Sequence, residues 1–501
     1  MKDNLIIAGL ALALAVSCGT PVGETEPSGE KPVTDDVTAY VTKADMSKLF
    51  HKTTFAFADA GNEGLNPVRY SPDTASPSVD GFGLAVTTAS AYNLLKMSKE
   101  DRTKFLTDLF SPEKGAGSSL IRVSIGASDF CLKDNYTWCD EEGLENFAVA
   151  AEDRNWLFPV LKEIYAINPD VKIIGSPWSC PKWMKGGGSW GYEGYDNGIL
   201  EKDWPNWTSG RLKPSCYAAY AEYFVKWIQT MEAEGFDIHA VTIQNEPLNH
   251  GNSMSMYMPW RDQKEFVKVL GPAFAEAGLG DVKILLFDHN FNYDGKSDQR
   301  NYPLNIYADE EASKWAAGSA WHNYGGSVSE LDNIRAAAPE KDIYFTEASI
   351  GTWNYNFANC LLNDFSTIFL GTLERGGRGV TLWNLMLDDK NGPYSPHDGS
   401  CKTCFGGVTI KSSDYRTISK NSHWFNVIHA STVVKPGARM MKIEGWKAPS
   451  GIECLMFSNP DGTVAALLCS HSDSDCPMVF SDGMKTVSFR MPSKSIASLI
   501  W

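Results

Sequence analysis

The feature that most constrains this chain is a recurrence. Eight times between Gly81 and Leu385, a short apolar, β-branched run ends in small or polar residues and gives way to a helical or loop stretch. The runs are "GFGLAVT" from Gly81, "LIRVSIGASDF" from Leu120, "VKIIGSPW" from Val171, "AVTIQNEP" from Ala240, "VKILLFDHN" from Val282, "SAWHNY" from Ser319, "DIYFTEAS" from Asp342 and "GVTLWNL" from Gly379. Continuous apolar runs suit strands covered on both faces, and the intervening stretches, such as Cys216 to Glu234, carry helical apolar spacing. That alternation predicts a parallel sheet, and eight repeats predict a closed (β/α)8 TIM barrel. A doubly wound open sheet would call for a Gly-rich phosphate loop after the first strand, which is missing here.

Beyond about Lys411 the pattern changes to short alternating runs, "GIECLMFSNPDGTVAALLCS" and "KTVSFRMPSKSIASLIW", with a hairpin turn at Asn459 to Gly462. The fold class expected is therefore α/β, with the barrel over 78–410 and an all-β, sandwich-like side domain over 411–501. Residues 45–77, with "TTFAFADA", are expected to add one or more strands to that side domain. A terminal β module of this kind is more often a structural prop than a sugar-binding unit.

The chain starts "MKDNLIIAGLALALAVSCGT", with Lys2, an apolar run from Leu5 to Val16, and small residues before Cys18. This is the layout of an export signal, too short for a membrane anchor. It resembles a bacterial lipoprotein cleavage site, although Ala15 stands where leucine is usual. The expectation is a signal peptide over 1–17, lipidation of Cys18 and a Pro- and Glu-rich flexible tether over 18–44, with ordinary cleavage nearby as the alternative. The protein would then sit in the bacterial cell envelope, facing the periplasm or the exterior, and touch the membrane only through its lipid. We expect a monomer.

A net charge of −16 opposes phosphate backbones and anionic lipid, so a neutral partner suits the surface better than nucleic acid. Setting Cys18 aside leaves ten of eleven cysteines, which permit disulfides without requiring them. "CKTC" at Cys401 and Cys404 has no second pair at zinc spacing, which favours a local disulfide or two free thiols. No HExxH or comparable spacing calls for a metal, and no cofactor is implied.

Two strand ends offer a carboxylate, Glu246 after the fourth run and Glu347 after the seventh. In a barrel these ends converge. Hydrolysing an acetal requires a proton at the leaving oxygen and negative charge at the anomeric carbon, which two carboxyl groups can provide. Either glutamate alone would read as a cap or an ion-pair member; the pair points to glycoside chemistry. Asn245 could hold a sugar hydroxyl, and Trp178 and Trp383 could stack on a sugar ring or simply pack the core. Asp129 could accept from two hydroxyls or cap a loop. Tyr324 could hydrogen-bond Glu347, and Arg122 could favour a charged carboxylate or serve a structural ion pair. His322 is more simply a satisfied barrel histidine.

"NEP" after the fourth strand and "TEAS" after the seventh resemble the acid/base and nucleophile motifs of retaining barrel glycosidases. The stretches "VDGFGLAVTTASAYNLL", "IRVSIGASDF", "GSPWSCPKWMK", "YFVKW", "WHNY" and "LWNL" extend the resemblance, which is to glycoside hydrolase family 30, the family of glucosylceramidase and bacterial β-1,6-glucanases. It covers nearly the whole chain after the tether. The resemblance implies Glu246 as general acid/base, Glu347 as nucleophile, and Asp129, Trp178, Asn245, Tyr324 and Trp383 as sugar-binding residues, with Arg122 buried near the carboxylates and His322 in support. It implies double displacement with retention and no cofactor.

The loop "CPKWMKGGGSWGYEGYDNGILEKDWPNW" departs from the glucosylceramidase pattern. Its Trp183, Trp190, Tyr192, Tyr195, Trp204 and Trp207 either build stacking subsites for a polymer or pack the loop on itself. The expected substrate is a neutral β-glucan, β-1,6-linked first, cleaved endo. Alternatives are an exo-β-glucosidase or glucosylceramidase, a β-xylosidase or β-fucosidase, and a non-catalytic carbohydrate-binding lipoprotein.

Overall fold

All eight runs are parallel strands of one barrel: Gly81–Leu84, Leu120–Ser124, Lys172–Ser176, Ile238–Thr242, Lys283–Asn290, Gly318–His322, Asp342–Glu347 and Gly379–Leu382. The computed structural model describes residues 36–59, 66–73, 75–186, 207–208, 210–252 and 254–501. Cys18, the export segment, Trp190, Tyr192, Tyr195 and Trp204 lie outside the described residues. Numbered along the chain, the barrel strands hydrogen-bond in the order 1-8-7-6-5-4-3-2, and a parallel bridge between Ala85 and Arg122 joins strands one and two.

The barrel is filled rather than hollow. Leu120, Ile174, Ala240, Leu285, Ala320 and Tyr344, one from each of strands two to seven, form a buried apolar cluster. Outside it, the helix Tyr217–Ala233 buries Tyr220, Tyr223, Phe224, Trp227, Ile228 and Met231, the i, i+3, i+4, i+7 stripe of an amphipathic helix. Its Trp227 ring lies against Gly175, where a Cβ would stand 2.7 Å from the indole, so the third strand needs glycine there.

The side domain is a two-sheet sandwich. A six-stranded sheet runs in the order His51–Phe55, Val37–Lys43, Ser495–Ile500, Val464–Ser470, Ile452–Ser458, Arg439–Met440. A five-stranded sheet contains Lys442–Glu444, Val68–Ser71, Cys476–Ser481, Lys485–Met491 and Ala58–Asp59. Alternation explains how the first sheet is covered on both sides: Ala466, Leu468, Ala497 and Leu499 face the second sheet, while Ala465, Leu467, Cys469 and Ile496 face the barrel core.

Two boundaries differ from the sequence expectation. The tether assigned to 18–44 includes a strand, Val37–Lys43, because Val37, Ala39 and Val41 alternate inward and pair with Ser495–Ile500. The all-β region assigned to 411–501 includes a helix, Ser422–Val433, wedged between barrel and sheet. Nearly every residue of that helix is buried, so it lacks the polar face that would mark it as a helix in sequence.

A charged cluster closes the barrel at the amino ends of its strands. Asp80 accepts from Lys172 at 2.6 Å, Tyr344 at 2.5 Å and Arg378 at 3.0 Å. Burial would raise Asp80, but His239, Lys283 and Lys172 overcome it and hold the carboxyl far below the ordinary range. A depressed carboxyl contributes stability that is present above the unfolded pKa of about 3.9 and lost as pH falls below it. Asp80→Ala is expected to cost about 3 kcal/mol at pH 7, the low end for a buried ion pair because its cations reach solvent. Urea midpoints at pH 7 and pH 3 check this: the gap between wild type and variant should shrink at pH 3.

Candidate active site

At the carboxyl ends of the strands, side chains from six of them meet around Arg122. Its guanidinium, fully buried, donates from Nη1 to Glu347 Oε2 at 2.5 Å, and from Nη2 to Asp288 Oδ2 at 2.8 Å, Asn245 Oδ1 at 2.7 Å and Ser176 Oγ at 3.0 Å. The same cation lies 4.9 Å from the Trp178 ring and 5.5 Å from that of Trp383, and the two indoles stack at 4.9 Å.

Local backbone aims these groups. Glu246, immediately before Pro247, is left-handed at φ 44°, which turns the chain sharply off the fourth strand. In the fifth strand Phe287 and Asp288 are also left-handed, at φ 70° and 66°, and the pairing with the sixth strand shifts register between Phe287 and His289. The irregularity accompanies a fully buried Asp288 carboxylate that accepts from Ser176, Thr242, Thr346 and Arg122.

Between Glu246 and Asp288 sits His322. Its Nδ1 is 3.2 Å from Glu246 Oε1 and its Nε2 3.0 Å from Asp288 Oδ1. A ring between two carboxylates can donate from both nitrogens only as imidazolium. Burial alone would lower its pKa, but the charges of Glu347 and Asp288 and its two hydrogen bonds lift it to about 9. Asp288 is held well below the carboxylate range: burial opposes this, and Arg122 and His322 prevail.

The two glutamates are pushed in opposite directions within one buried network. Burial favours the neutral form of Glu246, but the His322 hydrogen bond and the nearby His289 hold it below the ordinary range, with Asn249 Nδ2 donating to Oε2 at 2.8 Å. Burial, with Glu246 and Asp288 adding to it, holds Glu347 above that range. His322 and Arg122 oppose this, and the Tyr324 hydroxyl donates to Oε1 at 3.0 Å. One oxygen of each glutamate and one nitrogen of His322 lie within 4.8 Å of each other. That trio is poorly suited to a metal, since both imidazole nitrogens and Glu347 Oε2 are already engaged by counter-charges.

The carboxyls open into a cleft of about 350 Å³. Of the residues singled out in the sequence, Asp129, Glu246, Tyr324, Glu347 and Trp383 line it. Trp178 and Asn245 are buried beside it, one stacked on Trp383 and the other bonded to Arg122. Asp129 is pushed up to about 8 by burial and by Glu347, and its Oδ1 has no partner, which leaves it poised to bond a hydroxyl. Of the loop aromatics, Trp183 donates to the Cys139 carbonyl at 2.9 Å, and Trp207 lies under Lys182, with 4.8 Å between ring and ammonium. Neither lines the cleft around the two glutamates.

Asp288, His289, Asn249, Asn290, Asp294 and Trp353 join the site without a motif in the sequence to mark them. Trp353 is 54% exposed at the rim of the cleft. Cys401 and Cys404 form a disulfide that also lines the cleft, one of the two outcomes expected for "CKTC".

A family model described as the glycosyl hydrolase family 30 TIM-barrel domain matches residues 79–400. The chain belongs to glycosyl hydrolase family 30 and is an O-glycosyl hydrolase. It is 29% identical over 487 residues to the endo-1,6-β-D-glucanase BGN16.3 of Trichoderma harzianum, covering 91% of each protein. To the endo-1,6-β-D-glucanase neg1 of Aspergillus fumigatus it is 30% identical over 455 residues, 85% of this chain and 86% of that one. The solved structure of the endo-β1,6-glucanase BT3312 superposes with a TM-score of 0.87 at 45% identity, over 93% of this chain and 99% of that one.

His322 yields a pH prediction. Its folded pKa of about 9 exceeds the ordinary 6.5, so its contribution to stability is fully present below about 6.5 and lost as pH rises through about 9. Denaturant midpoints at pH 6, 8 and 10 should fall progressively in wild type and more weakly in His322→Asn.

Proposed function

We propose that this protein is a retaining endo-β-1,6-glucanase that works by double displacement. The observation that carries the linkage is the near-full-length correspondence to endo-β-1,6-glucanases, with the BT3312 structure matching over 93% of this chain. The closeness of the carboxylates supports retention: one oxygen of each lies within 4.8 Å of the other, in keeping with the close pairing, roughly 5–5.5 Å, of retaining enzymes.

In the first step Glu347 attacks the anomeric carbon while Glu246 protonates the departing oxygen. Arg122 and Tyr324 favour the charged form of Glu347 and fix the direction of its oxygens. The proton for Glu246 resides on the His322 imidazolium and crosses the 3.2 Å Nδ1–Oε1 contact as the leaving oxygen gains charge. In the second step Glu246 takes a proton from water as the water oxygen bonds the anomeric carbon and the bond to Glu347 breaks, so configuration is retained, and that proton passes back to His322 to restore the starting state. Trp383 supplies the stacking face and Asp129 a hydrogen-bonding partner for a sugar hydroxyl beside the cleaved bond. Trp353 at the rim offers another apolar face, which suits a chain that continues past that bond.

The test is hydrolysis of β-1,6-, β-1,3- and β-1,4-glucans, glucosylceramide and an aryl β-glucoside, with products resolved by length. Oligomers from β-1,6-glucan, abolished in Glu347→Ala, are expected. Monomer release from the small glucosides alone would instead make it an exo-β-glucosidase, and complete inactivity would favour a binding protein. Glu246→Gln should lower glucan turnover by about 10²–10⁴-fold, the usual worth of a general acid, and lower it less for an aryl glucoside whose leaving group needs no proton.

We also propose export to the cell envelope with a lipid on Cys18, a reading that rests on the sequence from Lys2 to Cys18. Cys18→Ala is expected to move the protein from the membrane fraction to the soluble fraction of the producing cells, read by immunoblot. An unchanged distribution would refute the lipid anchor.

A further inference from the structure

The face of the six-stranded sheet that packs on the barrel carries three ligand-type side chains outside the catalytic site. In the antiparallel register Glu453 stands opposite Cys469, so both project from the same face. His471 lies two residues beyond Cys469, and its N–H bonds the Gly451 carbonyl at 2.7 Å, carrying the pairing past the strand end.

One ligand-type atom from each of the three lies within 4.8 Å of the other two. Cys469 Sγ and His471 Nε2 are 3.6 Å apart. A tetrahedral zinc ion, with sulfur at about 2.3 Å and nitrogen at about 2.0–2.1 Å, sets those two atoms about 3.6 Å apart. Glu453 is already oriented: Oε1 accepts from Ser366 Oγ at 2.9 Å, on the π-helical turn Phe365–Leu370 of the barrel wall. Its Oε2 is buried without a hydrogen-bond partner. The Cys469 thiol is buried and, among the described residues, has only a 3.6 Å contact to the Leu362 carbonyl besides His471. Thiolate, imidazole and carboxylate together suit zinc rather than calcium or magnesium, which take oxygen donors.

We propose that Glu453, Cys469 and His471 bind a thiophilic divalent cation of zinc's class at the junction of side sheet and barrel. Binding exchanges the Cys469 S–H bond for a sulfur–metal bond; the proton goes to buffer and no electrons are transferred. The ion would tie two strands of the sheet to one another and, through Glu453 and Ser366, to the barrel wall. Its role is structural, since the donors lie outside the cleft.

The test uses the full chain with its disulfide intact and Co²⁺ as a coloured substitute for Zn²⁺. Titration at pH 7.5 is expected to give a thiolate-to-cobalt charge-transfer band that saturates at one equivalent and is bleached by one equivalent of Zn²⁺. The band should vanish in Cys469→Ser and in His471→Ala, each verified as folded by circular dichroism, while glucan hydrolysis without metal stays at the wild-type rate in His471→Ala. No band in wild type at ten equivalents, or a band that persists in both variants, would overturn the proposal. A site in the catalytic trio instead would show as binding lost in Glu246→Gln with no thiolate band, and would equally overturn it.

Discussion

The arrangement at the top of this barrel depends on one buried cation. Arg122 has no exposed surface, and a guanidinium cannot shed its charge, so its place in the interior must be neutralised and hydrogen-bonded. Asp288 and Glu347 supply the charge, Asn245 and Ser176 the neutral acceptors, and two stacked indoles cover its face. The consequence is that Glu347 cannot be oriented independently of the second, fourth and fifth strands. Asn245 and Trp178 are tied into the same network, one accepting from Arg122 and the other stacking on Trp383.

Asp288 has a second dependent. By accepting from His322 on one oxygen and from Arg122 on the other, it links the proton-donating half of the site to the anionic half. Two cations and three carboxylates thus share one buried network. Moving a proton between His322 and Glu246 changes the field at Glu347 without any side chain having to move.

Much of this is legible in the sequence. Eight apolar runs marked the barrel because period and length alone distinguish buried parallel strands, and Glu246 and Glu347 stood out as acids ending such runs. Asp288 did not stand out. It falls within "VKILLFDHN", where regular alternation would not predict the left-handed turn and register shift at Phe287 and Asp288. That is a tertiary effect with no local signature. Val37–Lys43 was missed for a different reason: seven residues beside a polar tether carry too little pattern until Ser495–Ile500 arrives to pair with them. Ser422–Val433 was missed because a helix buried on all sides has no amphipathic period to read.

That pairing of the first described strand with the last has a consequence for how the chain is made. Val37–Lys43 leaves the ribosome long before its neighbour on one side, Ser495–Ile500, is synthesised. The barrel strands are complete by Leu382, so the barrel can collapse while the sandwich still lacks a central strand. Until then Val37–Lys43 and Val464–Ser470 each present an open backbone edge to the same missing partner. The side domain is thus a long-range closure, slow by topology, and Ser495–Ile500 has to be present before its six-stranded sheet can be sealed.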